Sequence, residues 1–252
     1  MAPLRSVFAA PEHFERVPVA DDSFGSWLRG LPVRTDRHHV LSHDGRPLAA
    51  HSAGVILLDL GTGDLQQCAD TLIRLHAEYL WNRGDAASAA YHFTSGDLST
   101  WADWVSGIRW APRGRGVDRV AGEPRDDDHR SYRKWLQRLF VYAGTMSLSM
   151  DSVPVSSREI IQPGDFFVAP GSPGHTVMVL DVAVGGDGSR FGLIGQGYTP
   201  AQELHVVSDS AGDVWFPLPA SSAEFLDVPS WSPFPRSTAR RFSEPSVDVA
   251  DH

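Results

Sequence analysis

Apolar residues recur along this chain with two different periods, and the change falls near residue 150. Between Cys68 and Trp81 they lie three and four apart: Leu72, Leu75, Tyr79 and Leu80 form one stripe, and Arg74 and Glu78 make an i,i+4 pair. That pattern predicts a helix with one buried face, the clearest helix in the chain. Asp64 is its expected N-cap, and Gly84 lies near its other end. Trp27, Leu28 and Leu31 predict a short helix over 24–31, stopped by Pro32. Trp101 and Trp104 predict another over 99–105. From Tyr132 to Met150 the helical spacing returns through Trp135, Leu136, Leu139, Phe140 and Ala143, with Gly144 as a break or a close contact.

Beyond residue 150 the apolar runs are short and bounded by turn residues. Ile160–Val168 contains the turn Gln162-Pro163-Gly164-Asp165; His175–Ala183 and Phe191–Gln196 flank a hairpin through Gly185–Gly188. Leu204–Val207 and Val214–Leu218 predict edge strands, and Val40–Leu48, Ala53–Leu60 and Ala90–Thr94 read as extended in the first half. Helices followed by a meander of short strands predict an α+β fold, with helices packed on a small antiparallel sheet or open barrel. Residues 1–22 read as a weakly structured lead, 23–228 as one domain, and 229–252, rich in Pro, Ser and Arg, as a disordered tail. Ala111–His129 has few apolar anchors and reads as a mobile insertion.

Composition narrows the function. The 252 residues carry 22 basic and 31 acidic side chains, a net charge of −9, which argues against a nucleic acid or an anionic membrane as partner. The one cysteine makes no internal disulfide. No run of 18 apolar residues is present and residues 1–10 do not form a signal peptide, so the expected location is cytoplasmic.

That cysteine, Cys68, follows a polar, Gly-containing turn at the start of the best helix. A helix N-terminus favours thiolate over thiol. His175 follows Pro173-Gly174 and opens the most apolar strand. A thiol at a helix start and an imidazole at a strand start are the parts of a nucleophile and base pair. Gln196 lies on the next strand, where an amide oxygen would orient the histidine, and Gln67 offers a side chain or N–H to polarise a carbonyl. Gln66, Gln202 and Tyr198 are further oxyanion or substrate-binding candidates. Trp104 is a candidate wall and Arg109 a candidate anion holder, although core packing and solvated charge are the commoner uses of such residues. The bland alternative is a small buried cysteine and a histidine bonded to a loop carbonyl. The 107 residues that separate Cys68 from His175 are no signature in themselves. His38, His39, His43 and His51 lack carboxylates at ligand spacing, so no metal is expected. Asp181 is six residues beyond His175, on the same face of a straight strand but about 20 Å away.

The strings Asp64-Leu-Gln-Gln-Cys-Ala-Asp70, Ala77-Glu-Tyr-Leu80, Tyr142-Ala-Gly-Thr-Met-Ser-Leu148, Gly164-Asp165, Pro170-Gly-Ser-Pro-Gly-His-Thr176 and Gln196-Gly-Tyr-Thr-Pro-Ala-Gln202 resemble the bacterial family catalogued as domain of unknown function 4846, from about Trp27 to Leu218. More distantly, Gly164–Val168, the His175 strand and Phe191–Gln196 are similar to the back half of NlpC-type cysteine peptidases. That resemblance implies a papain-like architecture with Cys68 as nucleophile, His175 as base and Gln196 as orienting group. It departs in the longer stretch between Cys68 and His175 and in Gln67, which stands where those enzymes place aspartate. The expectation is cofactor-free acyl chemistry, hydrolysis or transfer, on a small molecule or peptide. The alternatives are a non-catalytic binding module, and an enzyme that uses His175 and Gln196 without the thiol.

Overall fold

The computed structural model describes residues 1–34, 36, 39–61, 63–229 and 231–243. It is a mixed α+β protein. Eleven strands form one antiparallel sheet: β1 (Ala2–Pro3), β2 (Phe14–Arg16), β3 (Pro32–Arg34), β4 (Ser52–Ile56), β5 (Ser152–Pro154), β6 (Phe166–Ala169), β7 (His175–Gly185), β8 (Arg190–Gln196), β9 (His205–Val207), β10 (Trp215–Pro217) and β11 (Ala239–Phe242). The order is β1-β3-β4-β9-β8-β7-β6-β11-β5, with β2 added beside the far end of β7 and β10 beside β8. The path does not close into a barrel, and the sheet is much larger than the sequence predicts. Six helices are seen among the described residues: α1 (Leu4–Val7), α2 (Phe24–Gly30), α3 (Cys68–Asn82), α4 (Trp101–Val105), α5 (His129–Phe140) and α6 (Thr145–Met150).

The central strand β7 is buried from His175 to Ala183, which suits its unbroken apolar run. Met178 and Leu180 join the core under the helices, with Leu72, Ile73 and Leu75 of α3. Val177, Val179 and Val182 face a second core that includes Phe216, Leu226 and Phe234. The sheet is therefore covered on both faces.

A bulge between Val179 and Asp181 resets the alternation. Asp181 thereby turns to the helix side, where Arg29 of α2 bonds its Oδ1 at 2.7 Å and Arg16 of β2 bonds its Oδ2 at 2.6 Å. The straight-strand expectation of a shared face with His175 is overturned by that extra residue.

The same ion pairs correct the reading of residues 1–22. β1 pairs with β3, β2 with β7, and Leu4 is fully buried, so this segment is part of the sheet. Ile108–Arg113 and Gly116–Ala121 form a regular hairpin held by backbone pairing, in place of a mobile insertion. The long helix over 132–150 divides around Gly144 into α5 and α6. In the tail, Phe234 is buried and β11 lies between β6 and β5; the tail from 244 onward falls outside the described residues.

Candidate active site

Four hydrogen bonds fix the start of α3. The Gln67 N–H donates to Asp70 Oδ2 at 3.1 Å, which stops the helix upstream and makes Gln67 the N-cap. Asp64, the expected cap, instead accepts from the Ala201 N–H at 2.6 Å and from Gln67 Nε2 at 3.1 Å. Gln67 Oε1 accepts from Thr199 Oγ1 at 3.1 Å. The loop that carries the thiol is thus bound to the chain just past β8. Gly197 permits the approach, because a Cβ there would lie 2.5 Å from Thr71 Oγ1.

His175 opens β7 opposite Ala169, Gln196 ends β8, and His205 opens β9 directly opposite Gln196. His175 Nε2 lies 2.9 Å from Gln196 Oε1, and Gln196 Nε2 lies 3.3 Å from His205 Nε2. The backbone N–H groups of Ala69 and Thr176 lower the Cys68 thiol's proton affinity, so the sulfur lies near the first residues of β7. Cys68 and His175 line one cavity of about 520 Å³, bounded by the starts of α3 and α6, the loop 171–174, Tyr198 and Trp231. The His175 ring centroid lies 4.6 Å from that of Tyr198 and 5.1 Å from that of Trp231.

The loop before His175 is clamped. Gly171 N–H donates to Thr145 Oγ1 at 3.2 Å. A Cβ on Gly174 would lie 2.4 Å from that hydroxyl, 2.7 Å from the Gly171 carbonyl and 2.8 Å from that of Ala169. Two of these obstacles are backbone, so Gly174→Ala must displace the chain that positions His175. A stability loss of about 1–3 kcal/mol is expected from the crowding, measured by urea unfolding. A variant as stable as the parent, with His175 bonded to Gln196 as before, would show that the loop gives way freely.

Burial governs the charges. It pushes the Cys68 thiol up to about 11, with the Asp70 carboxylate adding to the rise and the N–H groups of Ala69 and Thr176 offsetting only part of it. Burial drives His175 down to about 4, against the bond from Gln196. The helix N-terminus therefore does not yield a standing thiolate, contrary to the sequence expectation: desolvation of the sulfur outweighs it. At neutral pH the pair rests as thiol and neutral imidazole.

Of the sequence candidates, Gln67, Cys68, His175 and Tyr198 line the cavity, and Gln196 stands behind His175. The others do not converge there. Gln66 is buried with its oxygen 3.3 Å from Arg74 Nη1, in the ion-pair cluster of Arg74 and Glu78. Arg109 stacks over Trp104 at 4.0 Å and bonds nearby carbonyls, so both serve the hairpin and α4. Gln202 is buried and its backbone bridges Ser42. Gln67 has already committed its N–H to Asp70, so that N–H is not open to a carbonyl in the cavity. Trp231 was hidden in a Pro- and Ser-rich stretch; an isolated large aromatic in such a stretch is the one available sign of an anchor. Among the described residues, no group of three or more His, Cys, Asp or Glu is placed to hold a metal ion; His38 lies outside those residues.

A family model described as "Domain of unknown function (4846)" matches residues 4–241. The chain belongs to that family. No curated protein and no solved structure matches it. In this domain of unknown function 4846, four of the strings quoted from the sequence meet around the cavity. Segment 64–70 carries the thiol, 170–176 the histidine, 196–202 the amide bonded to it and the ties to Asp64 and Gln67, and 142–148 the start of α6. Strings far apart in the sequence thus make one place in the fold.

Proposed function

We propose that the protein carries out acyl chemistry through Cys68, on a papain-like arrangement related to that of NlpC-type enzymes. The observation that supports this most is the shared cavity: Cys68 at a helix start, His175 at a strand start, and Gln196 on the next strand bonded to the imidazole nitrogen Nε2. With Nε2 carrying its hydrogen toward Gln196, Nδ1 of His175 is the free base. Cys68 Sγ attacks the carbonyl carbon of an amide, ester or thioester as its proton passes to that nitrogen. The oxyanion is met by N–H groups of the first turn of α3. The imidazolium then returns the proton to the leaving amine, alcohol or thiol, and a thioester remains on Cys68. Water releases an acid; an amine releases a new amide.

Nucleophile, base and oxyanion donors all come from the chain, so the chemistry calls on no cofactor. Among the described residues lining the cavity none is Lys or Arg, and its polar groups are mainly hydroxyls and backbone. A volume of about 520 Å³ suits a small neutral acyl donor or a peptide segment.

A second reading, a non-catalytic ligand-binding module, is favoured by one observation: Cys68 is only 7% exposed and its thiol is pushed up. One experiment separates the two. The protein is incubated with small amide, ester and thioester donors, and acyl-Cys68 is sought by mass spectrometry of the intact chain and its peptides. Acyl transfer to Cys68, lost in Cys68→Ser, supports the first reading. Donors that bind without acylating Cys68 support the second.

A further inference from the structure

We propose that His205 is a positioning residue that fixes the basic tautomer of His175 through the Gln196 side chain. This rests on the reading of Cys68 and His175 as nucleophile and base, and it adds a residue that does not reach the cavity. His205 is fully buried at the start of β9, directly across the ladder from Gln196.

The hydrogens follow from what each group can do. His205 Nδ1 lies 3.1 Å from the backbone carbonyl of Glu203. A carbonyl only accepts, so Nδ1 carries the hydrogen and Nε2 keeps a lone pair. Burial holds His205 down to about 4, so near neutral pH the ring is uncharged and Nε2 stays bare. Gln196 Nε2, 3.3 Å away, therefore donates to it. That fixes the amide, which cannot turn over without setting its oxygen against the His205 lone pair. Gln196 Oε1 must then face His175 Nε2, at 2.9 Å, and it demands a hydrogen there. Nδ1 of His175 is left bare. The chain of bonds begins at a backbone carbonyl in the loop before β9 and ends at the base.

Without His205, Gln196 has two orientations of similar energy. One of them places its NH₂ against His175 Nε2 and moves the imidazole hydrogen to Nδ1, where it blocks proton uptake. A wrong tautomer in a nucleophile and base pair costs rate steeply, by as much as about 10⁴-fold in a comparable triad. Because Gln196 retains the correct orientation about half of the time when the two are of similar energy, a loss of about twofold is expected here.

The test is long-range proton–nitrogen NMR on the ring nitrogens of the full chain near neutral pH, beside the acylation rate of Cys68. The wild type should show opposite tautomers: hydrogen on Nε2 in His175 and on Nδ1 in His205. In His205→Leu the His175 signals should move to a mixture of tautomers, and acylation should slow about twofold. His205→Gln, which can again present an acceptor to Gln196, should restore both. Matching tautomers in the wild type, or an unchanged His175 tautomer in His205→Leu, would overturn the proposal. If His205→Leu does not fold, the wild-type tautomers still decide. Opposite tautomers without any acyl-Cys68 would keep the relay and remove the acyl reading; acyl-Cys68 with matching tautomers would do the reverse.

Discussion

Replacing His175 by alanine is expected to slow acylation of Cys68 by an activated ester about 10²- to 10⁴-fold near neutral pH. The reason is the resting state of the pair. A thiol held near 11 has almost no thiolate at neutral pH, so attack depends on a base that removes the proton as the carbon–sulfur bond forms. In the proposed mechanism His175, neutral above about 4, is that base over the whole physiological range. In His175→Ala the only remaining route is the rare free thiolate. Its rate should climb about tenfold per pH unit toward the thiol's own value. Release of nitrophenolate from a p-nitrophenyl ester, with Cys68→Ser as the blank, measures both rates. Equal rates in wild type and His175→Ala would mean that the imidazole is a neighbour of the thiol and takes no part.

The largest effect on stability is expected at Asp181. Its carboxylate is fully buried and receives Arg16, Arg29 and the Val182 N–H, the last at 2.8 Å. Arg29 is itself 9% exposed, and its other bond is to the Val17 carbonyl. Asp181→Ala leaves that guanidinium buried with no opposite charge, an outcome that costs about 3–5 kcal/mol. It also removes the ion pair between Arg16 of β2 and β7, leaving those strands joined by their backbone pairing. Urea unfolding should show the loss. Replacing all three residues by apolar ones of similar size should recover most of it, because the penalty is the unpaired charge. A loss below about 1 kcal/mol in Asp181→Ala, under the same principle, would mean that solvent reaches Arg29.

These two residues show where the sequence is legible. α3 and β7 announce themselves by period: the Leu72–Leu80 stripe gives the helix, and the apolar run after His175 gives the strand. Because Cys68 and His175 sit at the first positions of those elements, locating the elements locates the thiol and the imidazole. Gln196 follows from the next strand by adjacency. What stays hidden depends on partners distant in sequence. Nothing in residues 1–22 reveals that Arg16 meets Asp181, 165 positions on. The bulge that turns Asp181 toward Arg29 has no local signal. Asp64 reads as a cap because capping is a local pattern, whereas its actual acceptor role, toward Ala201, is a tertiary contact. Trp231 is masked by the composition around it.

The charge state of Cys68 is the most instructive difference. The position at a helix N-terminus is readable from sequence and favours thiolate. The desolvation that defeats it comes from everything packed around the sulfur. Only the assembled structure supplies that, together with the nearby Asp70 carboxyl and the N–H of Thr176. The pair proposed to react is therefore neutral at rest and, on that proposal, ionises during attack. That distinction sets the form of the pH dependence.

The most direct test of Cys68 and His175 as a working pair is the pH profile of acyl-Cys68 formation in the wild-type protein, followed by mass spectrometry with an activated ester as donor. The account predicts a rate that is level across the neutral range and falls only in acid, with a midpoint near the His175 value of about 4. A rate that instead rises steadily with pH toward the thiol's value of about 11, with no acid limb, would contradict it and mark Cys68 as a buried thiol acting alone.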